Sequence, residues 1–362
     1  MTLHRPIATV AVRAADLRDP AECARIDAFV ADHPQSELFH RPQWSLAVEQ
    51  GCGQRGHYLV AERPGGTLAG CLPLTDVRSI LFGRALVSTG FGTGGGALAD
   101  DRAAADSLLR AAGSLADRLG CATLELRGGP IPESFAVRDD VYVGFAMDLP
   151  GSEDGIMKSI KRRHRGVRRA RELELGVRIG AGPLDRSDFF RVYGESMRNL
   201  GSPVYPRRLF HSMLDLFGTD ADIVTISDGA TPVASVLNFY FKGIVHPYWG
   251  GGTWQARDCF GSELMYFEVM CNAARRGCTR FDFGRSKVGT GNYSFKMNWG
   301  MEPQPLRYGI RTAAGAVPRD INPMSPDSSS PTVSRLTRIQ VTTDNTLVNP
   351  SNPETVILGT YN

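Results

Sequence analysis

The feature that most constrains this chain is a repeat too long to be a solenoid. Tyr58 to Glu62, a Pro-Gly-Gly turn at Pro64 to Gly66, and Thr67 to Leu74 read as a β-hairpin. Ile223 to Ser227, a turn around Asp228 to Thr231, and Pro232 to Phe241 read as another, with Leu68-Ala69-Gly70-Cys71-Leu72 matching Val233-Ala234-Ser235-Val236-Leu237. Later, Gly120-Cys121-Ala122-Thr123-Leu124-Glu125-Leu126 matches Gly277-Cys278-Thr279-Arg280-Phe281-Asp282-Phe283: an apolar-acid-apolar strand entered from a helix through a glycine. The preceding helices carry stripes at helical spacing, Leu108, Ala112, Leu115 and Leu119 in one copy and Leu264, Phe267, Cys271 and Ala274 in the other. Anchors roughly 160 residues apart, in the same order of helix, hairpin, helix and strand, point to a duplicated α/β domain.

The first domain is expected to span 1–150, where a strand ending at Asp148 gives way to Ser152, a suitable N-cap with Glu153 and Asp154 behind it. The second spans 151–316. From 317 to 362 the chain is rich in Ser, Thr, Asn and Pro and its only aromatic is Tyr361, so a poorly ordered tail is expected. Seven scattered cysteines form no close pair and read as small buried hydrophobes of a reducing compartment, with no metal knuckle. The N-terminus lacks the apolar core of a secretion signal, and no apolar run approaches the roughly 20 residues needed to span a bilayer. A cytoplasmic protein is expected, with room for a peripheral contact at the inner membrane.

Charge is local. The net charge is +3, yet Gly155 to Arg171 holds eight basic residues and no acid. Lys158, Arg162, Arg163, Arg168 and Arg169 decorate a segment whose Ile156, Ile160 and Val167 share a helical stripe, so one amphipathic helix with a phosphate-binding face is predicted. A solvated helix face is the plain alternative. Further on, a strand at Arg280 to Phe283 runs into a glycine-rich basic loop with Arg285 and Lys287, then a second strand. On a period of two, Tyr293, Phe295, Met297 and Trp299 share one face and Lys296 stands on the other. Gly90 to Gly96 fits a dinucleotide glycine pattern formally, but with no helix opening on it the run reads as a loop permitting close approach.

Several of these segments resemble the FemAB-type transferases, in particular those associated with the XrtA exosortase and PEP-CTERM systems. The matching pieces are the basic helix, Gly201-Ser202-Pro203-Val204-Tyr205-Pro206 with Arg207 to Phe210, Pro247-Tyr248-Trp249-Gly250-Gly251-Gly252, and Phe281 to Gly300. The resemblance implies tandem GNAT-like (acyl-CoA N-acyltransferase-type) domains, each a mixed sheet with flanking helices. It also implies transfer of an acyl or aminoacyl group to an amine of a peptidoglycan or exopolysaccharide precursor. Phe295 and Lys296 resemble the family's aromatic-lysine pair, and the basic residues, with Tyr248 and Tyr293, its contacts to donor or acceptor. The implied donor is a phosphate-bearing co-substrate, aminoacyl-tRNA or acyl-CoA, with no permanently bound cofactor and no metal. Direct acyl transfer needs a cation where the oxyanion develops, for which Lys296 is the candidate, and a group to orient or deprotonate the amine, for which Asp282 is the candidate. Arg257-Asp258-Cys259-Phe260-Gly261 departs from the usual CoA-loop spacing, which sets acyl-CoA second to aminoacyl-tRNA. A non-catalytic binder of nucleic acid or anionic lipid would keep the basic helix without needing Lys296 or Asp282.

Overall fold

The computed structural model describes residues 10–79, 83–160, 163–313, 315, 348–349 and 352–356. They form two compact units, 1–138 with 307–319, and 139–306 with 320–362. Each is built on a mixed sheet containing a single parallel pair of strands.

In the first sheet the hairpin Arg55–Glu62 with Leu68–Ser79 leads to Gly83–Ser88, and the helix Arg102–Arg118 crosses over to Thr123–Arg127, which lies parallel to Gly83–Ser88. In the second the hairpin Ala221–Asp228 with Thr231–Phe241 leads to Ile244–Gly252, and the helix Gly261–Arg275 crosses over to the parallel strand Arg280–Lys287. The hairpins and crossovers are therefore those of the sequence repeat. Each helix buries most of its predicted stripe: Leu108 and Ala112 in one, Leu264 and Phe267 in the other, are at most 3% exposed, while Leu119 and Ala274 at the far ends are half-buried. Dense apolar packing of this kind supplies most of the stability of such sheets.

The boundary near Pro150 is corrected by strand pairing. The strand Tyr142–Asp148, assigned by sequence to the first domain, lies antiparallel to Arg280–Lys287 in the second sheet, with Arg280 opposite Asp148. Conversely Tyr308–Thr312, assigned to the second domain, lies antiparallel to Thr123–Arg127 in the first sheet. A sheet edge offers unpaired N–H and C=O groups to any strand that can reach it, whatever its place in the chain. Of the tail beyond 317, the described residues are Val348–Asn349 and Asn352–Val356, which pair as an antiparallel ribbon; the remainder lies outside the described residues.

The parallel pairs end differently. In the first unit the glycine-rich run does form a loop, and it is folded back onto the parallel strands: the Gly96 N–H donates to the Arg127 carbonyl at 2.9 Å. Arg127, 6% exposed, donates to the carbonyls of Thr89 and Gly92 at 3.2 and 2.5 Å and to Glu125 at 2.7 Å. A methyl group on Gly96 would lie 2.0 Å from the Gly128 carbonyl oxygen, so glycine is required there by close approach. The first unit thus fills the end of its parallel pair with its own chain. The second leaves the corresponding end open.

Candidate functional site

In the second sheet Ile244–Gly252 and Arg280–Lys287 pair only at Ile244 with Arg280 and Val245 with Phe281, and beyond that point they part. Both strands are bulged where they separate. Tyr248 is an extra residue between Pro247 and Trp249, which face Asn238 and Leu237, and Phe283-Gly284 opposes the single residue Phe145. Gly284 takes the positive φ, +67°, that this second bulge demands. Between the strands opens a cleft of about 320 Å³, walled by the helices Pro183–Asn199 and Gly261–Arg275 and lined by Tyr248, Arg257, Arg285, Phe295 and Lys296 among others.

The segment carrying Lys296 corrects a prediction. It is not a strand: Thr290 caps a helix, Gly291–Met297, by accepting from the Tyr293 N–H at 3.3 Å. The alternating aromatics also contain a pair spaced by four, Phe295 and Trp299, and these pack together at 6.2 Å around Tyr266 and Phe283. A run this short satisfies both periods, and burial of Trp299 against that aromatic group favours the helical one. Arg285 and Lys287 likewise sit within a strand rather than in a loop.

Lys296 is consequently not on an outward face. Its Nζ donates to the Arg285 carbonyl at 2.8 Å and lies 5.3 Å from the Phe283 ring centre and 6.0 Å from that of Phe145. Burial pushes the ammonium down to about 7, Asp282 opposing this and Arg285 adding to it. Asp282 accepts from the Gly284 N–H at 2.8 Å and lies 3.5 Å from His246 Nδ1. Burial raises its carboxyl, but His246, the Gly284 N–H and the Lys296 charge outweigh that and hold it below the ordinary carboxylate range.

The other predicted residues divide. Tyr248, Arg285 and Phe295 come together at the cleft with Lys296. Tyr293 packs edge-on against Phe145 at 5.5 Å, and Lys287 pairs across the strand with Tyr142; neither lines the cleft. The single basic helix is also corrected. It is two helices, Glu153–Ser159 and His164–Glu172, with Ile156, Ile160 and Val167 all fully buried. Arg162 lies outside the described residues. Arg163 turns inward, ion-paired to Glu263 at 2.6 Å with its guanidinium 4.8 Å over the Phe295 ring, while Arg168 and Arg169 are exposed. The predicted phosphate-binding face is thereby reduced to its outer arginines, none of which lines the cleft. Replacing Arg163 with glutamine is expected to cost about 1–2 kcal/mol in urea unfolding, from the lost pair and ring contact. The double replacement of Arg168 and Arg169 should leave the midpoint unmoved; equal effects would refute this division.

Sequence reasoning missed His246, and it treated Arg257 only as a departure from a loop pattern. Arg257 lies 4.2 Å over Trp254, which is 56% exposed, and reaches the cleft beside Ser262. An arginine next to a glycine-led helix start was the available signal. Among the described residues no group of His, Cys, Asp and Glu is placed to hold a metal ion, and no helix is long and apolar enough to cross a membrane.

Residues 156–297 match the family model of the acetyltransferase (GNAT) domain. Among solved structures the chain is similar to that of FemX, at 13% identity and a TM-score of 0.63 over 79% of this chain and 95% of that one. It is also similar to a tandem GNAT protein from the clavulanic acid biosynthesis pathway, at 12% identity and a TM-score of 0.53 over 86% and 100%. A third is the C-terminal domain of a putative lysylphosphatidylglycerol synthetase from Agrobacterium fabrum, at 10% identity and a TM-score of 0.55 over 81% and 93%. No protein of curated function matches.

Proposed function

We propose, from the premise that residues 156–297 are a GNAT-type acetyltransferase domain in a chain of tandem GNAT fold, that the second unit transfers an acyl or aminoacyl group directly to a primary amine of a cell-envelope precursor. The observation that carries this reading is the cleft at the parting of the parallel strands, with a partly desolvated lysine at its wall. The amine nitrogen forms the new bond to the acyl carbon, the bond to the carrier's sulfur or oxygen breaks, and the amine proton leaves with the carrier or to water. Lys296, as the ammonium, stabilises the oxyanion of the tetrahedral intermediate, where a fixed charge in a partly dry site is most effective. Asp282 acts on Lys296 rather than on the amine, because its own oxygens are engaged by Gly284 and His246. This revises the role in which Asp282 takes the amine proton.

The donor's phosphates fall to Arg257 and Ser262 at the start of the helix Gly261–Arg275, where the helix dipole favours an anion. A GNAT domain and this cationic helix start favour acyl-CoA as donor; aminoacyl-tRNA is kept beside it only by the resemblance of the sequence motifs to the FemAB-type transferases. Purified protein should therefore form an amide from a labelled acyl-CoA or aminoacyl-tRNA and an amine-bearing envelope precursor, with stoichiometric release of the carrier, read by mass spectrometry. Donor binding without amide formation across both donor classes would leave a binding protein in place of an enzyme.

A further inference from the structure

The helix Pro183–Asn199 turns Tyr193, Ser196, Met197 and Leu200 beyond its end toward the cleft. Its other side forms a separate hollow of about 340 Å³ with the start of the helix Arg207–Phe217. Its floor is Gly194, and that glycine is not required by the fold. It sits in the middle of a regular helix, its φ is not positive, and a methyl group on it would meet nothing within 4 Å. Glycine at such a place makes a helix less stable than alanine would. What it leaves is an opening on a helix surface.

Three guanidinium groups line that opening. Arg191 and Arg198 lie on either side of Gly194 along the helix, and Arg207 comes from the next helix, its guanidinium 4.9 Å over the Phe190 ring. Ser187 adds a hydroxyl, and Glu195 is the one acid of the lining. The nearby Asp188 is engaged by Arg178 at 2.5 Å and lies 3.8 Å from Arg191. The lining therefore holds two more positive than negative charges, in a hollow larger than a single phosphate fills. Arginine forks suit phosphate oxygens, and a guanidinium held against a ring has less freedom to lose on binding.

We propose that this hollow is a second anion site of the same unit and that it takes a diphosphate group. It is distinct from the cleft, and its test does not depend on transfer activity. Inorganic pyrophosphate titrated calorimetrically into the full-length protein should bind with an affinity that falls as salt rises. Arg198→Gln and Arg207→Gln should each weaken it roughly tenfold. Gly194→Leu, which fills the floor, should abolish binding at this site, and Gly194→Ala should raise the melting temperature and so show that the helix accepts a side chain there. Lys296→Met and Arg257→Gln, both at the cleft, should leave this affinity unchanged. ADP binding more tightly than pyrophosphate would assign the diphosphate to a nucleotide, and equal affinities would assign it to the free anion. The proposal is overturned by absence of pyrophosphate binding, or by binding that survives all three changes at Arg198, Arg207 and Gly194 when they are made in an Arg257→Gln background, which removes the cleft's own anion contact.

Discussion

Lys296→Met is expected to lose about 100-fold or more in turnover at saturating donor and acceptor, while melting no lower than the parent protein. The first half follows from where the charge is needed. An ammonium fixed by the Arg285 carbonyl, against the Phe283 ring, does little for a neutral carbonyl and much for the oxyanion formed from it. The second half follows from desolvation. Burial lowers Lys296 from 10.5 to about 7, so between those values the folded protein binds fewer protons at this site than the unfolded chain, and stability rises with pH across that window. Below about pH 7 the lysine is charged in both states and its desolvation is fully felt. Methionine removes it, so the variant should gain most over the parent at acidic pH and show no such rise above pH 7. Parent turnover should fall as pH rises through about 7, because the charged form is the active one. A turnover limb that instead climbs through 7 would make neutral Lys296 a base. Parent-like turnover in the folded variant would move the role to Arg285.

Arg127→Met is expected to destabilise the first unit by about 3 kcal/mol, a lowering of roughly 6–12 °C in its calorimetric transition. The side chain is 6% exposed and is bonded to Glu125 and to two loop carbonyls. Its removal takes from those two carbonyls, and from the half-buried Glu125, the bonds that Arg127 gives them. Lysine should not restore the loss, since one ammonium cannot reach three acceptors that a planar fork spans. A shift under about 2 °C would mean that the loop is held by backbone pairing alone, through bonds such as Gly96 N–H to the Arg127 carbonyl.

What was legible in the sequence was whatever depends on side-chain periodicity. The hairpins, the stripes Leu108 to Leu119 and Leu264 to Ala274, and the strands following Gly120 and Gly277 are dictated by which residues must leave water, and a single sequence states that directly. The choice of neighbouring strands was not legible. Nothing in Tyr142–Asp148 or Tyr308–Thr312 names its partner, because backbone hydrogen bonds are the same for every residue. The resemblance to an aromatic-lysine pair singles out Lys296 as a candidate, but strand spacing gives it the wrong setting because Phe295 and Trp299 satisfy both helical and strand periods. Arg163 was misread for a related reason: its inward turn depends on Glu263 and Phe295, distant in sequence and close in space.

The exchanged strands also bear on synthesis at the ribosome. The segment 139–306 is continuous, so the second sheet, from Tyr142–Asp148 to Pro303–Pro305, has every strand available once Pro305 has emerged. The first sheet does not: Thr123–Arg127 keeps an open edge until Tyr308–Thr312 arrives, about half the chain later. Although its strands are the first to be translated, the first sheet is completed after the second. Throughout that delay its filled strand end depends on local contacts, and the arginine that holds the glycine-rich loop lies on the very strand whose edge is waiting.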